Sequence, residues 1–88
     1  MNEPWQTLVD SFELNKSGTS PWNAEQLAAN YSGASHGEKC TISFLLNVWD
    51  PGHDWPCGKF DAIDALSVWK GSPAQAAFVK WAAEPWWP

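Results

Sequence analysis

Eight of the 88 residues are tryptophan, and that density constrains the fold more than any other feature. Each buried aromatic side chain removes roughly 150–250 Å² from water. A chain of this length buries only about 60–65% of the surface its unfolded form exposes. The indoles must therefore share a core, and the backbone must be organised around them. The length suggests one domain. Apolar residues make up 44% and charged residues 17%, the composition of a folded protein rather than a disordered one.

The apolar spacing reads as helices separated by clear punctuation. Trp5, Leu8, Val9 and Phe12 fall at i, i+3, i+4 and i+7, which predicts a first helix over about 4–14. Ser20 and Pro21 read as an N-cap and first-turn pair for a second helix over about 21–31. Phe60, Ile63, Leu66 and Trp69 predict another over about 59–70, with Asp61 and Asp64 in its first turns. Ser72 and Pro73 open the last, over about 73–84, with Ala74, Ala77, Phe78, Trp81 and Ala82 as its apolar stripe.

The centre of the chain supports two readings. Ser35 and Glu38 have capping-box spacing, and Ile42, Leu45, Leu46 and Trp49 follow with helical period. Cys40, Ile42, Phe44, Leu46 and Val48 also alternate as a half-buried strand does. The box and the length favour a buried helix over 36–49. The expected fold is all-α, a compact bundle of four or five short helices around a Trp-rich core. The alternative is α+β with a strand at about 40–48. A loop at about 50–58 carries two prolines and two glycines, with Trp55 and Cys57 as its anchors to the body. A Pro/Trp tail occupies 85–88. It can fold back over the core or present an aromatic anchor, and the small core favours folding back.

Two His-x3-Cys pairs stand out, His36 with Cys40 and His53 with Cys57, seventeen residues apart. Two thiolates and two imidazoles complete a tetrahedral zinc site, and zinc suits a domain with a small core. The short Cys-x2–4-Cys spacing of common zinc modules is missing. The plainer expectation is no cofactor: Cys40 packs as a small hydrophobe and His36 sits on the surface near a cap. A Cys–His pair also allows nucleophilic catalysis, but no nucleophile elbow, Walker loop or HExxH motif accompanies it. The carboxylates Asp50, Asp54, Asp61 and Asp64 read as turn formers and helix-start charges.

Charge narrows the partners. Ten acids oppose five lysines, arginine is absent, and the formal charge is −5. Direct nucleic-acid binding needs a cationic groove that this composition does not make. No apolar run approaches the roughly 20 residues that span a bilayer, and the N-terminus lacks signal-peptide character. A cytoplasmic setting follows as an expectation. The expected function is a non-enzymatic, acidic protein-binding or accessory module. Trp55, Asp50, Asp54, Trp86 and Trp87 are its candidate partner-binding residues. A zinc-stabilised domain and an inhibitor mimicking nucleic-acid charge are the alternatives, though the scattered acids form no phosphate-like row.

Overall fold

The computed structural model describes residues 3–88 and shows five helices with no strand among them. They are α1 (Glu3–Ser11), α2 (Ala24–Ala29), α3 (His36–Trp49), α4 (Ala62–Val68) and α5 (Pro73–Ala83). The fold is the all-α bundle that the spacing implies. No helix among the described residues is long and apolar enough to cross a membrane.

Helix α3 is the axis. Its capping box forms: the Ser35 N–H donates to Glu38 Oε1 at 2.9 Å, and the Glu38 N–H donates to Ser35 Oγ at 3.3 Å. All residues from Cys40 to Leu46 are buried. Fourteen residues rise about 21 Å, nearly the whole of a molecule measuring 27 × 27 × 24 Å. The alternation that resembles a strand is what burial on every side produces, so the strand at 40–48 is excluded. Helices α2 and α4 pack against α3, and α1 packs against α5.

Three helix boundaries differ from the spacing. Helix α1 ends at Ser11, with Glu13 in left-handed backbone at φ 55°. Phe12 and Leu14 reach the core from the turn rather than the helix. Helix α2 begins at Ala24, not Pro21, because Asn23 supplies the cap and accepts the Gln26 N–H at 3.1 Å. Ser20 and Pro21 join through a cis peptide bond in the preceding turn. That turn needs Gly18, at φ 98°, since a Cβ there meets Asn23 O and Leu27 N at 2.6 Å.

Helix α4 starts at Ala62, because the Asp61 carboxylate accepts the Asp64 N–H at 3.1 Å and caps it. Asp61 is thus the cap itself. Phe60 lies before the helix and packs against Phe44, Trp69 and Phe78. The helix then turns Ala65 and Trp69 inward, while Ile63 is 85% exposed. Ile63 and Leu66 therefore leave the core assigned to them by spacing. Gly71, at φ 78°, permits the tight corner into α5. Ser72 and Pro73 open α5 as expected, but Ala82 faces solvent.

Trp5 is fully buried among three other indoles. Its ring meets Trp22 at 5.1 Å, Trp49 at 5.6 Å and Trp86 at 6.3 Å. A second cluster gathers on Phe44, which touches Phe12, Phe60, Phe78 and Trp81 at 5.0–5.4 Å. The tail divides between its two indoles. Trp86 folds back onto Trp5, and its carbonyl accepts the Trp81 Nε1–H at 2.8 Å. Trp87 stays 57% exposed, edge-on to Trp81.

This division sets an expectation for urea unfolding. Trp5→Ala costs about 3–5 kcal/mol, as a fully buried aromatic truncation does. Trp87→Ala costs less than about 1.5 kcal/mol, the worth of an aromatic edge contact. Removing Trp86 to Pro88 lowers the Tm by roughly 4–8 °C for each kcal/mol lost. Equal costs at Trp5 and Trp87 would overturn a Trp5-centred core.

Candidate functional site

The first turns of α3 and α4 bring three metal-ligating side chains into one corner. His36 and Cys40 are four apart on α3 and share a face. Asp64 arrives from α4, where buried Ala65 lets the helix approach closely. The Trp69 Nε1–H donates to the Gly37 carbonyl at 3.1 Å and ties the end of α4 to the start of α3. Asp64 Oδ2 is the meeting point: His36 Nε2 lies 2.7 Å away, and the Cys40 thiol donates to it at 3.6 Å. The histidine beside Asp64 holds its carboxyl below the ordinary value of 3.8. Burial, with Asp64 adding to it, pushes the Cys40 thiol up to about 11. Cys40 is thus held as a protonated thiol, the reverse of what a nucleophilic cysteine needs.

Only half of the His-x3-Cys quartet meets. His53 packs against Trp55, with ring centroids 4.2 Å apart and the planes tilted by 55°. Cys57 lines the same cleft of about 150 Å³ as His36, Cys40 and Asp64, but its thiol donates to the Gly58 carbonyl at 3.5 Å. The carboxylate that replaces the second pair was legible only as a helix-start charge. Nothing in the spacing announces that α4 packs with Asp64 against His36.

The loop at 50–58 is held shut by its own side chains. Trp55 is only 9% exposed, and its Nε1–H donates to the Asp50 carbonyl at 3.2 Å. Asn47 Nδ2 donates to the Gly58 carbonyl at 2.9 Å. Trp55 is therefore the anchor to the body, not a side chain standing clear of the surface. Asp50 and Asp54 remain exposed. Asp50 and Trp55 border a cleft against α2, shared with Trp22, Trp49 and His53.

The tail's Trp86 lines a different groove from the loop. That groove, of about 630 Å³, lies between α1 and α5. Its walls are Pro4, Thr7, Leu8 and Ser11 on one side and Ala76, Ala77, Lys80 and Trp81 on the other. Sequence reasoning placed Leu8, Ala77 and Trp81 on core faces. Ala77 is buried in the core as expected, while Leu8 and Trp81 are partly buried and pack against it at the groove. The chain matches no protein-family model, no curated protein and no solved structure.

The His36–Asp64 contact has a defined sign with pH. A lowered carboxylate contributes stability that is complete above pH 3.8 and falls away as pH drops below it. Urea midpoints measured from neutral pH downward therefore decline less steeply below pH 3.8 in Asp64→Asn than in the parent protein. An identical decline would show that the contact contributes nothing.

Proposed function

We propose that this chain is a non-enzymatic protein-binding module whose docking surface is the groove between α1 and α5. The observation that carries the reading is the groove itself: an apolar trough between two helices, lined in part by the folded-back Trp86. Its volume of about 630 Å³ lies within the roughly 300–1,000 Å³ of ordinary ligand sites. Its form suits an amphipathic helix laid apolar face inward.

Charge selects the partner. Glu3 and Asp10 lie four residues before and three after the wall residue Thr7, on the adjoining stripe of α1. Glu84 lies on the rim contributed by α5, where Lys80 is the opposing cation. Three carboxylates against one ammonium, on a chain of net charge −5, favour a cationic partner helix. Trp86 supplies the aromatic anchor that interface energetics favour, and Trp87 extends the apolar surface outward.

A synthetic Lys/Leu amphipathic helix, titrated by fluorescence anisotropy, tests the reading. Ala76→Trp fills the trough from an exposed position and leaves the core untouched. Binding is expected to weaken at least about tenfold, a change of about 1.4 kcal/mol. Ile63→Ser, on the outer face of α4, is expected to leave it unchanged. Equal affinity for the parent and Ala76→Trp would reduce the association to charge alone and reject the groove.

A further inference from the structure

The corner between α3 and α4 carries a second inference, independent of the groove. We infer that His36 Nε2, Cys40 Sγ and Asp64 Oδ2 form a three-ligand site for Zn2+ with its fourth position open to solvent.

The geometry comes first. The three ligand atoms all lie within 4.8 Å of one another. Tetrahedral zinc, with bonds of about 2.0–2.3 Å, separates its ligand atoms by roughly 3.3–3.7 Å. The Cys40 Sγ to Asp64 Oδ2 distance of 3.6 Å already matches such an edge. The His36 Nε2 to Asp64 Oδ2 distance of 2.7 Å must open by roughly 0.6 Å, a side-chain adjustment. Both residues have the freedom for it, since their side chains are 62% and 45% exposed. The helices that carry them are joined by the Trp69–Gly37 hydrogen bond and by buried Ala65.

The donor set selects the metal. One thiolate, one imidazole and one carboxylate suit a borderline ion such as Zn2+ better than Mg2+ or Ca2+, which take oxygen ligands. Thiolate and carboxylate together neutralise the dication. The other charged or titratable groups around the cleft are Tyr31, Lys39, Cys57, Lys59 and Asp61. The two ammonium groups oppose the cation and Asp61 favours it. On binding, the Cys40 S–H bond breaks, the sulfur pair forms the zinc–sulfur bond, and the proton leaves to solvent. A metal ion inverts the electrostatics that otherwise keep this thiol protonated.

Calorimetric titration with Zn2+, and absorption titration with Co2+, test the site. One equivalent is expected to bind, with a thiolate-to-cobalt charge-transfer band. Affinity is expected to fall at least about tenfold in His36→Ala and in Asp64→Asn, since even outer partners of metal ligands are worth about 10–100-fold. Those two side chains are exposed, so both variants retain the fold. His53→Ala is expected to bind as the parent does. Between pH 7 and 8 the affinity should rise about tenfold, because one thiol proton is released per metal bound. Binding that survives Asp64→Asn unchanged, that lacks the thiolate band, or that disappears in His53→Ala overturns the assignment. So does the absence of saturable binding.

Discussion

The burial of Trp5 is the constraint on which the rest of the structure depends. Its ring is 0% exposed, and the indoles around it come from three distant parts of the chain. Trp22 comes from the turn before α2, Trp49 from the end of α3 and Trp86 from the tail. Each aromatic pair adds about 0.5–1.5 kcal/mol beyond the area it buries. No local segment can supply that arrangement. It forms only when α1, the end of α3 and the tail converge, which makes the tail part of the core. The Phe44 cluster meets the Trp5 cluster along α3, and this is why that helix has no solvent face from Cys40 to Leu46.

The indole nitrogens then act as staples. Trp55 binds the Asp50 carbonyl, Trp69 the Gly37 carbonyl and Trp81 the Trp86 carbonyl. Each satisfies a backbone acceptor; the Trp55 bond closes its own loop, and the Trp69 bond ties α4 to α3. Trp22 differs, since its buried Nε1–H has no acceptor among the described residues. Leaving such a donor unpaired costs about 1–3 kcal/mol, which the Trp5 and Trp49 ring contacts offset.

The two candidate surfaces are by-products of how this core closes. Because α4 is pinned by Trp69 and seated on Ala65, its first turn brings Asp64 up to His36 and Cys40. Because α1 packs against α5 beside the same indoles, the surface between the two helices forms the trough that Trp86 helps to line. The His36–Cys40–Asp64 corner depends on α3–α4 packing and the groove on α1–α5 packing. Each can therefore be altered without disturbing the other.

By itself the sequence determined the helices. The capping box of Ser35 and Glu38, the Ser72–Pro73 opening and the apolar period of α3 are local signals, and local hydrogen bonds realise them. It determined the Trp-rich core as well, because indoles at this density have nowhere else to go. Tertiary structure decided where each helix stops. Asn23 and Asp61 won the caps, Phe60 enters the core from before α4, and Ile63 lies on the solvent face of α4. It also decided which half of the His-x3-Cys pattern meets, and that Asp64 completes the corner in place of His53. Side-chain convergence across helices depends on packing angle and register, and those are set by the volumes of Ala65, Phe44 and Trp69 acting together. Sequence spacing carries the period of one helix but not the angle between two.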